Sequence, residues 1–251
     1  MTLIGQVASA VSDIFSDPYA ALFCCIGVSL VFLSSVLNVH SLKRNMPHDY
    51  GAVMTYFASF FFLMFVVPMT LVLIEGPRVG MSPSTLGVRL GDWKTGLVIV
   101  AFAIPVLAVS LLLGSSDPKL RSMYPFSKEA LDGLGRFILY EAAYVAFYYV
   151  AWEFAFRGVV LFSLLAFLPR TIPGIAVAIM VQTFLSTIYH IGHPHSEVVG
   201  AFILGLAAGA ATVVTGSILY GFLFHALAGV LNDCLAYRRL ARARRLGRTA
   251  G

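Results

Sequence analysis

Ionisable side chains interrupt several apolar stretches of this sequence. If such stretches cross a membrane, an ionisable group near the bilayer centre costs about 2.5 to 3.5 kcal/mol even on lenient scales. Each of these residues therefore needs a partner, a polar cavity or a chemical role. The residues concerned are Glu141, Glu153, Arg157, His190, His193 and His225.

Glu153 and Arg157 are four residues apart, which places them one turn apart on the same helix face. A carboxylate and a guanidinium at this spacing can form an ion pair and lower the cost of burying each other. The simplest interpretation is a structural pair that fixes helix packing. His225 lies in another apolar stretch, with Asn232 seven residues later on nearly the same face. A hydrogen-bonded packing role is the simplest interpretation for His225.

Three histidines occur within six residues, in the segment His190-Ile-Gly-His193-Pro194-His195. This density is typical of metal ligands, but Pro194 is expected to end the helix, so His195 need not point the same way as the others. We therefore predict a structural or interfacial role for His190 and His195. The sequence contains no His-Glu-x-x-His motif, and zinc binding stays open.

Glu153, His193 and His225 belong to three different apolar stretches. They avoid lipid at the lowest cost by meeting in one polar cavity inside a helix bundle. There a carboxylate and an imidazole can deprotonate a water molecule, and a second imidazole can donate to the oxyanion that forms at a carbonyl carbon. This combination suits amide hydrolysis. The same residues could instead bind Zn²⁺, so the cofactor is either none or a divalent metal such as zinc.

The composition is that of a membrane protein. Hydrophobic residues make up 59% of the 251 residues and charged residues 12%, against roughly 45 to 50% and about 25% in ordinary globular chains. A soluble enzyme, a disordered protein and a collagen-like fibre are excluded. Gly-rich phosphate loops and basic–aromatic patterns are absent from the sequence, so nucleic acid is not an expected partner.

Apolar stretches of about 20 residues can cross a bilayer core of about 30 Å, and they predict an all-α, polytopic transmembrane helical bundle. We expect about seven spans, within a range of six to eight. The range reflects residues 137–168, which at about 1.5 Å per residue would reach about 48 Å and form either one strongly tilted helix or two pieces. The predicted spans cover residues 20–39, 56–74, 96–114, 137–168, 172–189, 198–215 and 218–237.

Basic residues are concentrated after the last apolar stretch, where residues 238–251 hold six of the 17. The positive-inside rule therefore places this tail in the cytoplasm, and seven spans place the N-terminus on the outer side. We predict a multi-pass protein of a prokaryotic inner membrane. It would consist of N-terminal helices in residues 1–85, a core in residues 86–237 and the basic tail.

Three segments resemble, in sequence order, the motifs of the CAAX-protease and bacteriocin-processing intramembrane endopeptidases. That family carries Glu-Glu-x-x-x-Arg, Phe-x-x-x-His and His-x-x-x-Asn or Asp. The corresponding segments here are Glu153-Phe-Ala-Phe-Arg157, Tyr189-His-Ile-Gly-His193 and the stretch that begins at His225. A loop that begins at Leu86 also resembles one common in the family, so the likeness covers residues 86–233.

The resemblance implies that residues 86–237 form the core of an intramembrane endopeptidase that cleaves membrane-associated peptides or proteins. It implies that the motif glutamate and His193 activate water, and that His225 and its neighbours line an oxyanion site. Two positions depart from the motifs, because Trp152 stands in place of the first glutamate and Gly229 in place of Asn or Asp.

Our interpretation is that Glu153 takes over as the base, with Arg157 beside it, and that Asn232 and Tyr189 support the oxyanion site. If the enzyme binds a metal, the expected ligands are Glu153, His193 and His225. The lipid bilayer is the other expected partner, and the sequence does not indicate an oligomeric state. Two alternatives stay open: a non-catalytic relative that acts as a membrane scaffold or peptide-binding protein, and a proton-coupled transporter.

Overall fold

The computed structural model describes residue 12 and residues 16–35, 49–114, 117–245 and 247. In these ranges the chain is helical and contains no β-strand. A 3₁₀ turn at Lys128–Asp132 precedes the longest helix. The helices are α1 Pro18–Ser35, α2 Tyr50–Val79, α3 Trp93–Gly114, α4 Pro118–Met123, α5 Leu134–Phe167, α6 Ile172–Ile188, α7 His195–Thr215 and α8 Leu219–Arg245.

Seven of these helices are apolar, and α4 is a short helix between two of them. Five, namely α2, α3, α5, α7 and α8, are long and apolar enough to cross a membrane, and α1 and α6 are shorter. The predicted all-α polytopic bundle is confirmed. The protein is therefore an integral, multi-pass membrane protein.

α5 is the longest of the candidate spans, with 34 residues, and the most deeply buried. At about 1.5 Å per residue it extends about 51 Å. Residues 137–168, which the sequence predicts as one tilted helix or two pieces, lie almost entirely in this one continuous helix. It ends at Phe167 because Pro169 forces Leu168 into an extended conformation. π-Helical turns are frequent at functional sites, and one of them, Phe154–Leu161, contains Arg157.

Aromatic side chains pack α2 against α5 at the centre of the molecule. The Phe57 ring stacks on Tyr144 with centroids 4.7 Å apart, and the Phe60 ring stacks on Trp152 at 6.1 Å. Tyr148 contacts both phenylalanines. Aromatic pairs of this kind contribute about 0.5 to 1.5 kcal/mol each beyond the area that they bury. They fix the rotation of α5 and with it the direction of the polar side chains.

One end of the bundle is closed by the segment between α2 and α3, which packs on the turn between α7 and α8. The Asp92 amide donates to the Thr215 carbonyl at 2.8 Å, and the Ile218 amide donates to the Gly87 carbonyl at 3.0 Å. Gly91 has φ +60°, and a Cβ there would lie 2.2 Å from the Thr215 oxygen. Only glycine fits this contact. The family-like loop that begins at Leu86 thus holds the last two helices.

The opposite end gathers the segment between α3 and α5, the start of α7 and the end of α8. Ser196 Oγ donates to Asp117 Oδ2 at 2.9 Å, and Arg244 Nη2 lies 3.3 Å from Asp132 Oδ1. Segments predicted to lie on one side of the membrane therefore contact one another. The side that faces the cytoplasm stays a prediction. Both chain termini, and Lys43, Arg44 and Arg248 on which the prediction partly depends, lie outside the described residues.

Candidate active site

A cavity of about 720 Å³ lies between α3, α5, α7 and α8 and reaches the segment that follows α4. Most of its wall is apolar or aromatic. The polar and ionisable side chains among the described residues that line it belong to Tyr124, Arg157, His190, His193, Glu197, His225 and Asn232, besides several other hydroxyl groups. A large, mostly apolar cavity with a few convergent polar groups is the usual form of a ligand-binding or catalytic site.

Glu153, Arg157 and His225 form one buried cluster that joins α5 to α8. Glu153 Oε1 lies 3.3 Å from Arg157 Nη1 and 2.8 Å from His225 Nδ1. The Glu153 and Arg157 side chains are only 1% and 2% exposed. Arg157 and His225 line the cavity, whereas Glu153 lies behind them. α8 closes over the carboxylate at Gly221, where a Cβ would lie 3.0 Å from Glu153 Oε2.

His193 belongs to a second cluster, at the start of α7. Its Nδ1 lies 2.6 Å from Glu197 Oε1, and the same oxygen accepts a hydrogen bond from the Tyr124 hydroxyl. His193 and Glu197 both line the cavity. His193 Nε2 and Glu197 Oε2 are buried and have no hydrogen-bond partner among the described residues. A buried polar atom without a partner is costly, so both atoms are suited to contact a molecule that enters the cavity.

Trp152 contacts two of the histidines at the cavity, His190 and His225. Its ring centroid lies 5.2 Å from that of His190 and 6.2 Å from that of His225. His190 Nδ1 bonds the Ser186 carbonyl oxygen at 2.9 Å, and burial lowers the pKa of His190 to about 4, so this imidazole is neutral at physiological pH. The structure thus brings Arg157, His193 and His225 to one cavity, and within the described residues no hydrogen bond joins the two clusters.

Both positions that depart from the family motifs are closely packed. The Trp152 indole fills the first-glutamate position and packs against Phe156 at 4.8 Å and Tyr189 at 5.4 Å. At Gly229 an added Cβ would lie 1.7 Å from the Tyr149 hydroxyl oxygen. No Asn or Asp fits at position 229 while Tyr149 keeps this position, because the tyrosine hydroxyl occupies the space that their side chain would need.

The two predicted supporting residues lie in different places. Asn232 lines the cavity, but its amide nitrogen donates to Asp233 Oδ1 at 3.1 Å. Tyr189 packs against Trp152 and is not among the cavity residues. Its hydroxyl pairs with that of Tyr56 at 3.0 Å. Of the two, Asn232 is the one within reach of a molecule in the cavity.

The three residues expected to bind a metal, if the enzyme uses one, do not form a metal site. Among the described residues no group of three or more His, Cys, Asp or Glu side chains is arranged to hold a metal ion. Glu153 and His225 bond each other and His193 bonds Glu197, so the set Glu153, His193 and His225 does not converge on one point. These residues do not fit a metal centre, and we assign no chemical step to a metal.

Sequence reasoning did not identify Glu197, Tyr124 or Asp233 as polar groups of the bundle interior. Glu197 is four residues after His193, but Pro194 between them marks a helix end, so the shared face was not expected. Asp233 is fully buried beside Glu141 of α5. An acidic residue inside the predicted span 218–237 was the feature that could have identified Asp233. Nothing in the local sequence pointed to Tyr124, which approaches from a different segment.

A comparison with known families agrees with the motifs. The family model for type II CAAX prenyl endopeptidase Rce1-like proteins matches residues 135–231. The match runs from α5 into α8 and includes Glu153, His193 and His225. No curated protein and no solved structure matches the chain. The predicted resemblance is confirmed: residues 135–231 are similar to the Rce1-like type II CAAX prenyl endopeptidases.

Proposed function

We propose that the protein is an intramembrane endopeptidase that hydrolyses peptide bonds of membrane-associated peptides or proteins in this cavity. One observation carries the proposal. Two histidines from separate parts of the bundle line the same cavity, and each bonds a carboxylate oxygen through Nδ1. This arrangement leaves both Nε2 atoms available for proton transfer.

In the proposed reaction His193 Nε2 accepts a proton from water, and the hydroxide attacks the peptide carbonyl carbon. Arg157 donates hydrogen bonds to the oxyanion, and His225 donates from Nε2–H in its doubly protonated form, because its Nδ1–H is bonded to Glu153. Arg157 suits this role because Nε and Nη1 have no hydrogen-bond partner among the described residues, although Nη1 faces Glu153. The intermediate collapses when the carbon–nitrogen bond breaks, and the proton on His193 passes to the leaving nitrogen.

The contacts of Glu153 favour a supporting role in place of the base role expected from the sequence. Oε1 contacts both Arg157 and His225, and the carboxylate lies behind the cavity wall. A carboxylate in this position balances the charge of Arg157 and orients the His225 ring. It thereby keeps two oxyanion donors in place.

The apolar walls of the cavity suit a lipid-like or apolar substrate segment. Side chains from α3, among them Phe102, Val106 and Leu107, form one side, and small residues of α7 such as Ala207 and Ala208 form another. The matched family model is described as a type II CAAX prenyl endopeptidase. A prenylated peptide is therefore the first substrate to test. We also propose that residues 86–237 form the protease core and that the His193 end of the bundle faces the cytoplasm of a prokaryotic inner membrane.

A second candidate function is a non-catalytic relative that binds membrane peptides. The observation that favours it is that Trp152 and the Tyr149 hydroxyl occupy the two motif positions that depart from the family. Such a protein would bind peptides in the cavity but would not hydrolyse them.

The experiment that separates the two uses purified full-length protein in lipid vesicles. The probes are quenched fluorescent peptides: one ending in farnesyl-Cys-aliphatic-aliphatic-X, its unprenylated counterpart, and an apolar membrane-spanning peptide. We expect cleavage of at least one probe, with mass spectrometry showing a single new C-terminus. Binding of a probe without any cleavage would favour the non-catalytic function.

A further inference from the structure

Glu197 is a partly buried carboxylate at the cavity that no family motif contains. Its Oε1 contacts both His193 Nδ1, at 2.6 Å, and the Tyr124 hydroxyl. We propose that Glu197 is a positioning residue: it holds His193 with the proton on Nδ1 and Nε2 free, and Tyr124 anchors Glu197. This inference rests on the proposed function, because it assigns His193 its role as proton acceptor.

The chemistry of the pair follows from the two nitrogens of imidazole. In the neutral ring one nitrogen carries the proton and the other is a base. A carboxylate that accepts from Nδ1–H selects the tautomer whose Nε2 can take a proton from water. After that transfer the ring is an imidazolium whose Nδ1–H still donates to Glu197, and the new proton leaves from Nε2 to the amine product. Glu197 remains ionised throughout and stabilises the charged ring.

A hydrogen bond from Tyr124 fixes the position of the Glu197 carboxylate. It reaches Glu197 from the segment between α4 and α5, so the hydrogen bond joins two parts of the chain 73 residues apart. Burial, and next the nearby Glu197 charge, raise the pKa of Tyr124 well above its ordinary value. The tyrosine therefore stays a neutral hydroxyl that donates its proton. A carboxylate that accepts from two donors is restricted to one rotamer, which in turn restricts the His193 ring.

The replacement of the first motif glutamate by Trp152 is the reason why the contact between Glu197 and His193 matters. Trp152 replaces the first motif glutamate, and the remaining motif glutamate, Glu153, contacts His225 and Arg157. Among the described carboxylates, Glu197 is the one that bonds His193. The sequence places it four residues beyond the motif histidine, across Pro194, where the chain turns and α7 begins.

A simpler role for Glu197 must be distinguished. It lies in the first turn of α7, where an acidic residue stabilises the helix through its interaction with the helix dipole. That role would affect folding, but it would not determine which His193 nitrogen carries the proton. The two roles are separated by a direct measurement of the tautomer.

The test is NMR of the full-length protein in nanodiscs, with ¹⁵N-labelled histidine and a His193→Ala sample for assignment. In the wild type we expect His193 to be protonated at Nδ1 and bare at Nε2. In Glu197→Ala we expect a shift toward the Nε2–H form. Glu129→Gln, which removes an exposed carboxylate near Arg136 at the same end of the bundle, is the matched control and should keep the wild-type tautomer.

The kinetic test uses the peptide that the wild type cleaves. We expect Glu197→Ala to lower kcat on the order of 10² to 10⁴-fold with a small change in KM, Glu197→Asp to recover part of the loss, and Tyr124→Phe to lower kcat about tenfold. Tyr124→Phe removes one oxygen and also serves if Glu197→Ala does not fold. A wild-type His193 tautomer in Glu197→Ala, or an unchanged kcat in Glu197→Ala and Tyr124→Phe, would overturn the inference. A wild type that cleaves nothing would refute the proposed function, while the tautomer would still test the positioning.

Discussion

Arg157 is a buried cation whose counter-charge comes from Glu153, one turn earlier on α5. If the guanidinium is removed, the Glu153 carboxylate stays buried without its cation, which costs about 3 to 5 kcal/mol. We expect Arg157→Ala to lower both the expression level and the unfolding temperature of the detergent-solubilised protein. The measurement is a thermal melt of the purified variant beside the wild type.

Two variants test the cause of this loss. Glu153→Leu combined with Arg157→Met removes both charges and should unfold at a higher temperature than Arg157→Ala. Arg78→Ala breaks an exposed ion pair with Glu75 and should cost only about 0 to 1 kcal/mol. If Arg157→Ala melted like Arg78→Ala, the ion pair would not stabilise the protein.

Residue spacing predicted part of the site. The contact between Glu153 and Arg157 needs only a helix, so a separation of four residues was sufficient to find it. The contact of His225 with Glu153 joins two helices and followed from the cost of leaving either group in lipid. Glu197 could not be found in this way, because its contact with His193 depends on how the chain turns at Pro194, and the donor Tyr124 comes from a distant segment.

At the scale of the elements, α8 packs closely on α5 at Gly229. A methyl group there would overlap the Tyr149 hydroxyl, 1.7 Å away, and overpacking of this kind costs about 1 to 3 kcal/mol. We expect Gly229→Ala to lower the unfolding temperature, and Gly229→Ala combined with Tyr149→Val to recover part of the loss. The thermal melts of the two variants are compared directly.

The control for this prediction is Gly200→Ala on α7, where an added Cβ has no atom within 4 Å. That variant should be at least as stable as the wild type, because Ala favours a helix over Gly. A Gly229→Ala protein that behaves like Gly200→Ala would show that α8 can move away from Tyr149.

The sequence predicted the apolar helices more accurately than their detailed form. Hydrophobic length found each apolar helix, and the observed bounds differ by a few residues, as for the predicted start at residue 198 and the observed start at His195. The π-helical segments of α5, such as Tyr144–Tyr149, leave no signal in hydrophobic periodicity. The packing of the loop at Gly91 on Thr215 depends on tertiary contacts that no single segment contains.

At the scale of the whole molecule, the two ends of the bundle differ in charge and in contacts. Basic side chains such as Arg136 and Arg244 lie at the end that contains the His193 loop. We predict that this end is cytoplasmic. Reporter fusions at Gly251 and at Met1 should give cytoplasmic and external signals, respectively. Signals on the same side at both ends would require an even number of membrane crossings and would contradict the predicted topology.

The central claim is that the cavity hydrolyses peptide bonds through His193. The most direct measurement compares the initial cleavage rates of the wild type, His193→Ala and His195→Ala in vesicles, with the peptide that the wild type cleaves best. His195 is an exposed neighbour at the start of α7 and provides the matched control. We predict a loss on the order of 10² to 10⁴-fold in His193→Ala, in protein that still shows a cooperative thermal melt, and wild-type rates in His195→Ala. Equal cleavage by the wild type and a folded His193→Ala would contradict the account.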